Sequence, residues 1–262
     1  MVMDERGSII ANSFAGSVEE IAGAVEGYAS ERRGVILGVD APLAVPNERG
    51  TRKIERILSK MALPAYSASR RMFGGEPYAE ELLAALERVK VEYTDYPFPR
   101  EREQWAVVEV DSAATLKILR LERDGGKGGD LEKRLRGIED PRFRKGNKEG
   151  RAAALRGAIE VLWDTPGLRL RTGNLSADLS APENIDVSKL DVSAGLSHAE
   201  LDRTLGLVEG TLAAYTVHRH WKGRDGSMVV GTGDQGAVLL PATEALHARI
   251  ADECRTARVP YV

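Results

Sequence analysis

With 262 residues and 42% hydrophobic content, the chain can bury a core as one large or two small domains. Its formal net charge of −3 excludes a global field that would attract nucleic acid, so a polyanion would need a local basic patch. No apolar stretch approaches the roughly 20 residues that cross a bilayer, and residues 1–6 lack the pattern of a signal peptide, so we expect a soluble, cytoplasmic protein with no membrane partner.

The first elements are predicted from turn and capping signals. Residues 4–7 form a turn between the apolar runs 1–3 and 9–11, which predicts a hairpin. Ser17 begins a capping box, and apolar residues then recur at helical spacing, which predicts a helix over 17–32.

An acid closes the next apolar run. Residues 34–40 are flanked by Gly and Pro and are typical of a buried strand that ends at Asp40. This position lies at the carboxyl edge of a sheet, where α/β proteins usually bind their ligands. A buried, unpaired Asp costs free energy, so Asp40 needs a hydrogen-bond network, a cation or a metal as its partner. The alternative is that Asp40 only caps the following turn.

A second acidic strand is predicted in the middle of the chain. The elements before it are a helix, a loop and a short helix, over 47–60, 64–77 and 80–89. Residues 105–111 then read as a strand on which Glu109 and Asp111 are two apart and point to the same face. Two strands of the predicted sheet therefore carry acids at their ends.

The segment that follows is rich in Gly and basic residues. Residues 124–130 are interpreted as a mobile loop because of their four glycines. Arginines and lysines cluster over 134–156 but are interleaved with acids, so a solvated face and a phosphate-contacting surface both stay open as interpretations. Residues 165–196 are interpreted as an irregular insertion.

The last third of the chain predicts a helix, a hairpin and a final helix. A capping box at Ser197 begins a helix that runs to about His220, on which Asp202 and Glu209 lie two turns apart on one face. Two apolar runs separated by a turn, over 228–231 and 237–241, then predict the hairpin.

Several segments together carry a family pattern. They are residues 39–43 with Arg49 and Arg52 soon after, residues 108–110, the segment 145–151, the helical segment 209–216 and the segment 231–241. In this order they resemble the DUF429 family of predicted nucleases, which have a ribonuclease H-like fold. The resemblance spans nearly the whole chain and implies a single domain over 1–262, with a mixed central sheet flanked by helices.

The resemblance also implies a carboxylate cluster that holds two divalent cations. Mg²⁺ or Mn²⁺ would be bound by Asp40, Glu109 and Glu209, since hard cations prefer carboxylate oxygens. Glu209 stands where the family usually has Asp, so Asp202 is the reserve for the catalytic position on this helix. Asp111 is the reserve on the strand. A metal is the natural compensation for acids that would otherwise repel one another.

Two functions of different class follow. The first is a metal-dependent nuclease or phosphodiesterase, and the alternative is a catalytically inactive domain of the same fold that binds nucleic acid or protein. Substrate phosphates would be received by basic residues: Arg49, Arg52, Arg70, Arg71, Lys145, Lys148 and Arg151. For the loop that holds Arg70 and Arg71, a merely solvated surface is the alternative.

One departure from the family concerns its first strand, which carries the leading catalytic Asp and is missing here. The stub at residues 1–3 matches the end of the second strand, so about 15 to 20 residues would be missing. Either the start codon is assigned too late, or the protein is naturally shortened and binds without cutting. Because a sheet that lacks a strand exposes unpaired backbone groups, we expect self-association through the sheet edge or a disordered first hairpin.

Overall fold

The computed structural model describes residues 1–32, 34–65, 67–74, 78–101, 103–124, 130–141, 143–144, 146–170, 184–223 and 226–262. These residues form a mixed α/β structure with eight α-helices and several small sheets, one of which is parallel. Most of the predicted loop at 124–130 and much of the predicted insertion at 165–196 lie outside the described residues.

The strands form three hydrogen-bonded groups. β1 (Val2–Met3) and β2 (Ile9–Ala11) make the predicted antiparallel hairpin. A parallel group has the order β3 (Val35–Val39), β5 (Trp105–Glu109) and β4 (Glu92–Tyr93). The predicted second hairpin comprises β6 (Ser227–Thr232) and β7 (Gly236–Pro241). A parallel bridge between Val110 and Leu239 connects this hairpin to the end of β5, so parallel and antiparallel pairings meet there.

The helices are α1 (Val18–Arg32), α2 (Lys53–Lys60), α3 (Tyr78–Arg88), α4 (Ser112–Arg123), α5 (Leu131–Gly137), α6 (Lys148–Asp164), α7 (His198–Lys222) and α8 (Glu244–Ala257). The helices predicted over 17–32 and 197–220 are confirmed by α1 and α7. The predicted start of the next helix at residue 47 was wrong, because α2 begins only at Lys53. The Asn47 side chain donates to the carbonyls of Arg49, Gly50 and Ala68, which holds residues 47–50 as a loop.

α7 is the central helix of the candidate site, and it packs closely against β3. A Cβ atom added to Gly38 would lie 2.8 Å from Val217 Cγ2 and 3.1 Å from the Ala213 carbonyl oxygen. Only a residue without a side chain permits this approach of strand to helix. The contact fixes α7 beside the carboxyl end of β3, where Asp40 follows.

β3 pairs with β5 on one edge, while its other edge faces the first hairpin across a groove of about 860 Å³. All five residues of β3 are partly exposed, whereas β5 is buried from Ala106 onward. Within the described residues, no strand pairs with the second edge of β3. The first hairpin hydrogen-bonds to Arg169 through Gly7 and Ile9. Self-association through the open edge and disorder of this hairpin both stay predictions. Among these residues, no helix combines the length and apolarity needed to span a membrane.

Candidate functional site

Three acids meet at the carboxyl ends of β3 and β5, and we call them the acid edge: Asp40, Asp111 and Glu209. Asp40 directly follows β3, Asp111 is the N-cap of α4, and Glu209 lies within α7. Ser112 joins these elements. Its backbone N–H donates to Asp40 Oδ1 at 3.0 Å, and its hydroxyl donates to the Glu209 carbonyl oxygen at 3.1 Å. Acids from three distant segments of the sequence are thus brought to one place.

The pKa values of all three carboxyl groups are raised. Loss of hydration is the largest cause in each case, although Asp40 itself keeps an exposed surface, and it raises the pKa of Asp111 to about 7. The charge of Asp40 adds to the increase at both Asp111 and Glu209, and the charge of Glu109 adds to it at Asp111, so Asp40 lies within electrostatic reach of both other acids. Ionised together they repel, so the acid edge favours a cation.

Arg144 provides a positive charge at the acid edge. Its Nη2 donates to both carboxylate oxygens of Glu209, at 3.1 and 2.9 Å. The guanidinium also lowers the pKa of Asp40 through its charge, although burial of Asp40 remains the larger influence. The Arg144 side chain is 72% exposed, whereas that of Glu209 is 21% exposed. Arg144 therefore reaches over the rim of the site from the solvent side.

Glu109 lies in a different environment, inside the protein. Both of its oxygens accept hydrogen bonds from Arg52, at 2.9 and 2.6 Å, and Oε2 also accepts from the Leu43 N–H at 2.8 Å. Arg52 Nε donates to Glu55 at 2.7 Å, which makes a buried triad. Burial raises the pKa of Glu109, and the bonds and charge of Arg52 oppose this shift. With three charge-assisted donors, we assign Glu109 as ionised and committed to Arg52.

Asp202 pairs with another arginine, Arg151. Arg151 Nη2 donates to Asp202 Oδ1 at 2.5 Å, while Arg151 Nε donates to the Phe143 carbonyl at 2.7 Å. Arg151 is buried and the Asp202 side chain is 64% exposed. The structure therefore brings Asp40 and Glu209 together with the reserve Asp111, and it places Glu109 and Asp202 in separate ion pairs.

The basic residues predicted to bind substrate fall into two groups. Arg52 and Arg151 are buried in the ion pairs described above, so neither is available to a substrate in this conformation. The more accessible ones are Arg49, Arg70, Arg71 and Lys148. Arg70 and Arg71 lie in a short 3-10 helix, whose backbone N–H groups donate to the carbonyls of Asn47 and Glu48 after β3. Lys145 lies outside the described residues.

The donor chemistry of the acid edge suits Mg²⁺ or Mn²⁺, because three carboxylates offer the hard oxygen ligands that these ions prefer. Within the described parts of the chain, however, no three carboxylate, histidine or cysteine side chains are arranged closely enough to hold one metal ion. The guanidinium of Arg144 takes a cation's place beside Glu209. The carboxylates are thus of the chemical type that binds a divalent ion. For one to bind, Arg144 would have to release Glu209 and the three carboxylates would have to move closer together.

Comparison with known proteins gives no match: no protein-family profile fits the sequence, and no curated protein or solved structure is significantly similar to it.

One residue of the site, Arg144, was not predicted from the sequence. Its available signal was the basic segment 134–156, in which no single arginine stands out because many alternate with acids. Asp111 was named only as a reserve, since a strand pattern does not show that the following helix begins there and draws this acid to its N-terminus.

Proposed function

We propose that the protein is a metal-dependent phosphodiesterase or nuclease with a ribonuclease H-like arrangement, as its resemblance to the DUF429 family implies. One observation carries the proposal. Asp40, Asp111 and Glu209 come from three elements to one edge, where loss of hydration raises all three pKa values and the charge of Asp40 further raises those of Asp111 and Glu209. Perturbed, clustered carboxylates at the carboxyl end of a parallel sheet are typical of a functional site.

The proposed ligand set exchanges Glu109 for Asp111. Both Glu109 oxygens are bound by Arg52 and lie inside the protein, whereas Asp111 accepts from backbone N–H groups at the start of α4, with that of Ala114 at 2.7 Å. Asp40 is oriented in the same manner by the Ser112 N–H. A divalent ion would supply Lewis-acid polarisation of a phosphoryl oxygen and a more acidic bound water.

Binding of the substrate phosphate would depend on basic side chains of the protein. Two exposed arginines, Arg70 and Arg71, lie in the short 3-10 helix that hydrogen-bonds to the loop after β3, and guanidinium groups suit phosphate oxygens. Arg70 already donates to the Val45 carbonyl oxygen at 3.2 Å, and its Nη2 lies 3.7 Å from a carboxylate oxygen of Glu80. The acid edge itself is negative, so an anionic substrate needs such cations nearby. We therefore place the phosphodiester between this loop and the three acids.

The proposal is tested by titration with Mn²⁺. The unfolding midpoint of the wild-type protein should rise by several degrees, since an ion at 100 times its Kd stabilises by about 2.7 kcal/mol. Asp40→Asn and Asp111→Asn should lose most of this shift, whereas Asp252→Asn, which alters an exposed acid on α8, should keep it. In parallel, bis(p-nitrophenyl) phosphate should be hydrolysed by the wild type and by Asp252→Asn only. An unchanged midpoint in every variant would reject the metal site.

A second candidate function is favoured by the arginine partners of the acids. Glu109, Glu209 and Asp202 each pair with an arginine, which neutralises charge that a metal enzyme would leave for its ions. In this case the protein would bind nucleic acid or protein without cutting. Salt-dependent binding of an oligonucleotide that is unaffected by Asp40→Asn, with no hydrolysis even in excess Mn²⁺, would favour this function over the first.

A further inference from the structure

We propose that Arg144 is the resident counter-ion of the acid edge, and that a divalent cation binds there by displacing Arg144 from Glu209. This inference rests on the proposed function, since it concerns access to the same three acids. It adds a regulatory step, because the site is closed by its own side chain until the ion opens it.

The first argument is the geometry of the contact. Arg144 Nη2 lies 2.9 Å from one Glu209 oxygen and 3.1 Å from the other, so it takes the position from which an ion would use both oxygens. A metal ligated by Glu209 would sit at about 2.0 to 2.6 Å from a carboxylate oxygen. Two cations cannot share this position, because they would lie almost in contact and repel each other.

The second argument is that Arg144 is able to leave. Its side chain is 72% exposed, and its segment lies between α5 and α6, where Gly146 adopts a φ of +102°. Exposed ion pairs contribute little to stability and exchange readily with water. After release, the guanidinium would be solvated at the rim of the site, where an anionic substrate would approach.

The third argument is that the neighbouring acids stabilise Arg144 at the acid edge while no ion is bound. Both carboxylate oxygens of Glu209 accept hydrogen bonds from Arg144, and the guanidinium also lies within electrostatic reach of Asp40 and Asp202. Without that guanidinium, Glu209 and Asp40 would face each other as uncompensated anions. The same cluster that would attract a metal therefore holds the arginine in its place.

The test compares Mn²⁺ affinity, measured by isothermal titration calorimetry, in three forms of the full chain. Arg144→Met should bind Mn²⁺ more tightly than the wild type, by on the order of tenfold, because the competitor is gone. Lys148→Met is the matched control, since it removes the same charge from the same basic region without a bond to Glu209. Its affinity should stay near that of the wild type.

The outcomes separate this inference from the proposed function. If the wild type binds Mn²⁺ and Arg144→Met binds it equally or more weakly, the displacement is rejected while the metal site stands. Equal tightening in Arg144→Met and Lys148→Met would also reject it, because general charge would then explain the effect. Tight binding by Arg144→Met alone supports it, and binding by none of the three rejects the metal site and the displacement together.

Discussion

Two arginine–glutamate pairs lie near the acid edge and differ in almost every physical respect. Arg52 and Glu109 are each about 4% exposed and share two hydrogen bonds, with Glu55 and the Leu43 N–H completing the network. Arg144 and Glu209 meet at the surface through one guanidinium nitrogen. The same two residue types thus form a buried network in one place and a partly exposed ion pair in the other.

Burial explains the difference. Removing one partner of a buried pair leaves a charge without water or a counter-ion, and this penalty exceeds the net value of the pair. At the surface, water replaces the lost partner at little cost. The number of hydrogen bonds acts in the same direction, because Arg52 connects the loop after β3, the start of α2 and the end of β5.

The largest expected effect is the loss of Arg52. Arg52→Met should lower the free energy of unfolding by about 3 to 5 kcal/mol, because Glu109 and Glu55 would both be left as buried anions. Urea denaturation followed by circular dichroism measures this loss. A decrease below about 1 kcal/mol would contradict the view that this pair is a fixed part of the structure.

This prediction also shows what the sequence could and could not reveal. Asp40 was found from the strand pattern, because an acid at a strand end is visible in the periodicity, whereas Glu209 was selected among the acids of its helix through the family resemblance. Glu109 was likewise found on a strand pattern, yet its partner was not. Arg52 precedes Glu109 by 57 residues, and no local pattern indicates such a contact.

The helices between β5 and α7 illustrate the same limit. α4 was not predicted, although Asp111 is a good N-cap and accepts from the Ala114 N–H. The residues of α4 follow the predicted strand without a break, and local signals alone do not decide whether they continue that strand or begin a helix. The two hairpins were predicted because each has a turn between its strands, and α1 and α7 were predicted because a capping box precedes each helix.

An intermediate effect is expected from Asp111, whose surroundings are less closed than those of Glu109. Its pKa is raised from 3.8 to about 7, so between these values the folded state holds a proton that the unfolded state has released. Wild-type stability should therefore fall as the pH rises from about 4 to 7. The Asp111→Asn variant retains an N-cap residue for α4 but has no titrating group at this position. The free energy of unfolding of this variant should therefore fall less than that of the wild type over the same pH range.

Unfolding measured at pH 5 and pH 8 decides the matter. Each pKa unit corresponds to about 1.4 kcal/mol, so at pH 8 Asp111→Asn should exceed the wild type by at least on the order of 1 kcal/mol. Asp252→Asn should follow the wild-type pH dependence. If the two variants behave alike, Asp111 titrates as an ordinary surface acid and the acid edge is less closed than the structure indicates.

The smallest effect is expected from Arg144, and it tests the other half of the comparison. Without metal at neutral pH, Arg144→Met should change the free energy of unfolding by less than about 1 kcal/mol, because both partners reach solvent. Urea denaturation at low and at 1 M salt measures the difference, which should shrink in high salt as the charges are screened. A loss as large as that of Arg52→Met would mean that Arg144 is a fixed part of the structure, and a metal could then not displace it without unfolding its surroundings. A small loss of stability that shrinks in high salt would mean that Arg144 is held only weakly, because the binding free energy of an ion could then exceed the free energy of the Arg144–Glu209 contact.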